Sequence, residues 1–381
     1  MDKQINYNAT YNVKPVVLVA PLDWGLGHAT RCIPVIKECL TADCEVIIAA
    51  SGKQYKLLKS EFPTLEIVEL PGYQLNYGKK RWSTLVKLLL QAPKILIKIN
   101  QEKKWLRKIY NEKHLDIIIS DNRFGLHHNG AITVFITHQL LIKAPGKNRK
   151  AESILQKLNY KFINRFTHCW VPDAAGALNL AGALSHPAVK PAVPVTYLGS
   201  LSRIKKQLLP VTNKLLVLLS GPEPQRSLLE EKILQQLSAL QLPAVVVRGL
   251  PSPATSITGS YPLLQLFDHL NSEQLQQMIA QSAIIISRPG YSTIMDVLPI
   301  GKKCIFIPTP GQTEQEYLAA YLAGKGWCCT TLQDDLQLHE QITKAEQLNI
   351  PDLSELSNPQ LLTAAVAHLV SQLNTAKVRT T

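Results

Sequence analysis

The sequence has 381 residues, 46 % of them hydrophobic, and a net charge of +13; this length and apolar content predict two cored domains and exclude a disordered or disulfide-stapled chain. No window approaches the ~20 apolar residues of a membrane span, and the opening MDKQINYNATYNVKP is too polar for a secretory signal, so the expected location is the cytoplasm. Seven scattered cysteines without a Cys-x-x-Cys pair read as reduced core residues, not as a zinc or redox site.

Along the chain, short apolar runs alternate with amphipathic segments, the pattern of parallel strands linked by helices. Strands are predicted at 16–20, 46–50, 67–70, 117–120, 133–137, 169–172 and 195–198. After the polar, proline-bearing stretch 199–214 the alternation restarts, with strands at 215–219, 244–248, 263–267, 283–287 and 304–308. The expected fold class is therefore α/β, two Rossmann-like doubly wound domains facing across a cleft, divided into residues 1–200 and 201–381.

The first strand runs into VVLVAPLDWGLGHATR (16–31). Gly25 and Gly27 allow a tight strand-to-helix turn, and His28 at the helix start is a candidate general base, imidazole being suited to take a proton near neutral pH. A carboxylate improves such a base by fixing its tautomer, and Asp121, directly after the strand LDIIIS, is the candidate. Arg123 in the same SDNRFG loop and His138 at the end of the next strand are expected to face substrate.

The charge excess lies wholly in the first half, with 27 Lys and Arg against 14 Asp and Glu in residues 1–200. It peaks at 77–113, where eleven basic residues interleave with Trp82, Leu85, Leu88, Leu89, Ile95, Ile97 and Trp105. That mixture reads as a surface for anionic lipid headgroups or as a solvated helix pair. No motif accompanies the charge that would point to nucleic acid.

In the second half, AIIISRPGYSTIMDVLPIGKKCIFIPTPGQTEQEYLAAYLAGKG (283–326) resembles the nucleotide-sugar signature of GT-B glycosyltransferases of the MurG-like group with a family 28 C-terminal domain. The resemblance implies that Arg288, Gly290, Ser292 and Thr293 form the turn and helix start that receive a diphosphate. It further implies that Asp296 binds the ribose and that Gln312, Glu314 and Gln315 face the donor sugar. LSGPEPQRS (219–227) is similar to the first loop of that domain, which sets Ser220, Gly221 and Arg226 near the phosphates. The physics agrees, since a helix N-terminus offers free N–H groups and positive potential to a diphosphate. GLGHATR resembles the N-terminal glycine-rich loop of the same proteins, and the order His28 then Asp121 resembles the His–Asp pair of plant-type UDP-dependent transferases.

What the resemblance implies is an inverting, metal-independent transferase with an acceptor-binding first domain and a nucleotide-sugar-binding second one. It would move a sugar, N-acetylglucosamine among the candidates, from a UDP-sugar co-substrate to a lipid-linked or envelope-glycan acceptor. It would need no cofactor and would work peripherally on the inner face of the cytoplasmic membrane. Gly-x-Gly-His-x-x-Arg is also similar to the histidine loop of UDP-sugar hydrolases of nonulosonic-acid precursor type. A non-catalytic nucleotide-sugar-binding protein is the third alternative.

Overall fold

Two parallel sheets carry the chain in a computed structural model that describes residues 14–72, 81–250 and 262–378. In chain order the first half forms β1 (Val16–Pro21), α1 (Gly27–Thr41), β2 (Glu45–Ala50), α2 (Gly52–Glu61), β3 (Glu66–Glu69), α3 (Arg81–Lys113), β4 (Ile117–Asp121), β5 (Ile132–Ile136), α4 (Arg149–Ile163), β6 (His168–Val171) and β7 (Val195–Tyr197). The second half forms β8 (Asn213–Leu218), α5 (Gln225–Ala239), β9 (Ala244–Val247), β10 (Leu264–Phe267), α6 (Ser272–Ala280), β11 (Ser282–Ser287), α7 (Tyr291–Val297), β12 (Lys303–Phe306), α8 (Thr313–Gly324), β13 (Cys329–Thr330), α9 (Leu338–Glu346) and α10 (Pro359–Val378). Each expected strand forms within a residue or two. β13 is the addition, two residues being too short to show a period.

The strand orders are β3-β2-β1-β4-β5-β6-β7 and β10-β9-β8-β11-β12-β13, and every pairing between neighbours is parallel. Helices cover both faces, which is why the strands are near-continuous aliphatic runs such as Val17–Val19 and Ile117–Ile119, all at most 2 % exposed. Each order reverses direction beside its first strand, between β1 and β4 and again between β8 and β11. Ligand crevices of open α/β sheets form at the strand C-termini at such a switch point.

One element departs from the expected division. The last helix, α10, leaves the second sheet and packs on α1, with Leu362, Val366 and Leu369 in one apolar cluster with Ile33 and Ile36. His168 at the start of β6 meets Gln372 of α10 at 3.0 Å. An apolar stripe carries no mark of which sheet it covers, and that α10 reaches back to α1 is visible only in the packing.

α3 and α4 adjoin through Ile95, Ile99, Phe124 and Phe162. The same two helices expose Leu96, Ile97, Ile154 and Leu158, each more than half accessible. Lys79 and Lys80 of the basic segment lie outside the described residues. All seven cysteines are free, and six of them are buried.

Candidate functional site

The loop after β1 and the end of β4 flank the first switch point, because Pro21 pairs in register with Asp121. Two different constraints account for the two glycines between β1 and His28. Gly25 has φ +79°, a left-handed conformation that side chains with a Cβ avoid. At Gly27 a Cβ would come within 2.7 Å of Ser292 Oγ, so the second domain closes onto this residue. Ser292, in the first turn of α7, donates to the Gly27 carbonyl at 2.9 Å. The starts of α1 and α7 therefore meet across the cleft, and neither helix has a side-chain cap or an acid in its first turn.

His28 and Asp121 are brought together as expected, with Nδ1 3.2 Å from Oδ2. Between them sits a residue that the sequence reading passed over, Arg31. Its Nε donates to Asp121 Oδ2 at 2.7 Å, and its Nη2 donates to Oδ1 and lies 2.9 Å from His28 Nδ1. Arg31 and Asp121 are 2 % and 0 % exposed, a buried and doubly hydrogen-bonded ion pair. The available signal was helical spacing, since Arg31 follows His28 by three positions and so shares its face.

Burial raises the Asp121 carboxyl, but Arg31 and His28 outweigh it and hold the group well below the usual carboxylate range. Burial also pulls the His28 imidazole below its ordinary value of 6.5; Asp121 opposes this, and Arg31 and His138 add to it. His28 is therefore neutral at pH 7. If it acts as the base, kcat/KM should be flat above neutrality and fall with an acid limb whose midpoint lies below pH 6.5. A midpoint above that value would assign the limb to another group. The charged and titratable groups facing the pair are Arg31 on α1, His138 after β5 and Glu314 on α8.

His138 does not face an open cleft. Its ring is 4 % exposed, stacks on Tyr291 with centroids 4.0 Å apart, and reaches Glu314 Oε1 through Nε2 at 2.7 Å. Gln139 donates to the other Glu314 oxygen, and Thr313 Oγ1 donates to the Lys143 carbonyl. His138 and Glu314, expected to touch acceptor and donor sugar, thus join the two domains to each other. Nearby, Gln312 precedes α8 and makes no side-chain cap, whereas Gln315 accepts from the Thr309 N–H at 2.8 Å and braces its own loop.

At the second switch point Ser220 is exposed, and Gly221 has φ +104° with its Cβ position 3.6 Å from Thr309 Oγ1. The hydroxyls of Ser287, which ends β11, and Thr309, in the loop after β12, are buried and have no partner among the described residues. Gly290 precedes α7, followed by Ser292 and Thr293 in its first turn. Asp296 sits farther along α7 and accepts from Ser202 Oγ of the interdomain connection at 2.5 Å. Burial pushes its carboxyl up to about 6, against the Ser202 hydrogen bond and Arg203.

The three arginines expected at substrate are engaged elsewhere. Arg226 is held by Glu223, Glu230, Ser227 and the Arg248 carbonyl. Arg288, 1 % exposed, donates to the carbonyls of Ile307, Pro308 and Gln225 and to Gln333; burial lowers it to about 10. Arg123 is fully buried and ties the Pro21 and Pro71 carbonyls to Glu102. A motif fixes where the Cα of an arginine lies, but its long side chain turns to whichever carbonyls or carboxylates are buried nearby. Among the described residues no three His, Cys, Asp or Glu side chains converge to hold a metal ion.

The chain is similar to known proteins over most of its length. Residues 266–368 match the glycosyltransferase family 28 C-terminal domain. An uncharacterized glycosyltransferase of Methanosarcina acetivorans is 26 % identical over 80 % of this chain and 82 % of its own length. The UDP-N-acetylglucosamine--N-acetylmuramyl-(pentapeptide) pyrophosphoryl-undecaprenol N-acetylglucosamine transferase of Legionella pneumophila is 23 % identical over 87 % of this chain and 88 % of its own. Among solved structures, the glycotransferase of kitacinnamycin superposes with a TM-score of 0.62 at 14 % identity, over 96 % of this chain and 98 % of that one.

Proposed function

Because the chain is a glycosyltransferase of GT-B fold with a family 28 C-terminal domain, we propose that it moves a sugar from a UDP-sugar to a hydroxyl of a lipid-linked or envelope-glycan acceptor, with inversion. The observation that carries this reading is the meeting of the α1 and α7 starts beside His28 and Asp121. A diphosphate beside the uncapped N-terminus of α7, where it adjoins the start of α1, receives N–H groups and positive potential.

In the reaction, His28 takes the proton of the acceptor hydroxyl. The acceptor oxygen attacks the anomeric carbon from the face opposite the diphosphate, and the bond from that carbon to the diphosphate oxygen breaks. UDP leaves with the electron pair, and its charge is met by the α7 N–H groups, Ser220, Gly221 and the unpartnered hydroxyls of Ser287 and Thr309. Arg226 and Arg288 support this arrangement from behind by bracing the loops. The deciding experiment incubates the protein with a panel of UDP- and GDP-sugars, with and without envelope lipid extract. UDP release that requires lipid supports the transferase, and equal release in water alone would make the protein a hydrolase.

Asp296 is the proposed ribose ligand. Its raised pKa implies that UDP affinity, constant at pH 7 and above, falls as the pH drops through about 6 and the carboxylate is protonated. Calorimetry of UDP binding across that range checks this, and the same fall in Asp296→Asn would remove Asp296 from the role.

The acceptor reading extends to the membrane. The homologous transferases named for undecaprenol-linked substrates, the basic segment and the exposed Leu96, Ile97, Ile154 and Leu158 support docking of α3 and α4 on an anionic cytoplasmic face. Replacing Ile97, Ile154 and Leu158 together by serine should release the protein from anionic vesicles at moderate salt while turnover on a soluble acceptor stays unchanged. Unaltered cosedimentation would dismiss this surface.

A further inference from the structure

We propose that Arg31 is the positioning residue that decides which ring nitrogen of His28 carries the proton, and that with the domains joined through His138 and Glu314 it holds His28 in the Nε2–H form. The inference rests on the reading of His28 as the base, and deepens it. In the Nε2–H form, the nitrogen that must accept a proton already bears one.

The assignment follows from counting donors. A guanidinium has five N–H groups and no acceptor. The Arg31 Nε–H and one Nη2–H go to the Asp121 carboxylate. The second Nη2–H has His28 Nδ1 at 2.9 Å, and Nη1 has His138 Nδ1 at 3.3 Å. A ring nitrogen that receives an N–H must itself be bare. A proton on His28 Nδ1 could reach Asp121 Oδ2 at 3.2 Å, but it would then confront the guanidinium at the shorter 2.9 Å, donor against donor. The same count leaves His138 bare at Nδ1 and protonated at Nε2, which donates to Glu314 Oε1 at 2.7 Å. Every contact from Arg31 through His138 to Glu314 then pairs a donor with an acceptor, at the cost of a bare His28 Nδ1 3.2 Å from Asp121 Oδ2, which favours the opposite tautomer once Arg31 moves away.

This chain crosses the cleft, so the state of the base depends on the second domain. Tyr291 against the His138 ring and Ser292 on the Gly27 carbonyl keep it in register. A polyhydroxylated ligand that takes the Glu314 carboxylate for its own hydroxyls removes the acceptor for His138 Nε2–H. The His138 ring then loses the tether that aims its bare Nδ1 at Arg31 Nη1 and is free to turn away. Arg31 loses that anchor and swings away from His28 Nδ1; His28 then gives its Nε2 proton to solvent and takes one on Nδ1, directed at Asp121 Oδ2, leaving Nε2 bare. The base is thereby withheld from water until the sugar is in place.

Nitrogen NMR of the full-length protein labelled at histidine tests the inference without substrate, with the His28 resonances identified by their loss in His28→Gln. The expected spectrum at pH 7.5, a pH chosen about one unit above the ordinary histidine pKa, has a far-downfield bare Nδ1 and a protonated Nε2 at His28. Glu314→Ala should move both resonances toward the opposite pattern, and Arg31→Lys should do so more completely. A His28 already protonated at Nδ1 in the wild type, or one unmoved by Glu314→Ala, overturns the proposal whether or not the Arg31 variant folds. Full turnover in His28→Ala would instead remove the base itself, a separate result.

Discussion

His28→Ala is expected to lower kcat by roughly 10²–10⁴-fold, the usual contribution of a general base, while UDP binds almost as in the wild type. The separation follows from position. His28 belongs to α1 beside the end of β4, whereas the proposed nucleotide contacts, from Ser220 to Asp296, belong to the second sheet. The contact between Ser292 and this loop goes to the Gly27 carbonyl, so it survives loss of the imidazole. Loss of turnover together with loss of UDP binding would mean that the substitution had displaced the domains. Near wild-type turnover would end the assignment.

Asp121→Asn should cost both stability and turnover. The substitution preserves shape but removes the counter-charge of a guanidinium that is 2 % exposed, and breaking a buried pair in this way typically costs ~3–5 kcal/mol. Urea unfolding of the full chain reads the loss. A change under ~1 kcal/mol, the size found for exposed pairs, would show that water reaches the site in solution. The joint variant Arg31→Met, Asp121→Leu separates the two effects, since an apolar pair of similar volume can restore stability. It should refold most of what Asp121→Asn lost and remain inactive.

The sequence by itself determined the strands, their parallel class and the two alternating series, because strands covered on both faces must be continuous aliphatic runs bounded by turns. It also placed His28 and Asp121 at strand C-termini, where loop residues share a crevice whatever their separation along the chain. Only the tertiary structure decided what the long side chains do. Arg123, Arg226 and Arg288 lie where the motifs set their backbones, yet their guanidinium groups turn inward to carbonyls and carboxylates that no local pattern announces. Conversely Arg31, unassigned in the sequence, became the centre of the site, since two of its partners, Asp121 and His138, come from other elements. His138 and Glu314 were legible as cleft residues but not as a contact, for they are 176 positions apart, one after β5 and the other on α8. Local periodicity records how a segment meets its own sheet; which donors and acceptors pair across a cleft is settled by how two folded bodies pack, when each buried polar atom must find a partner.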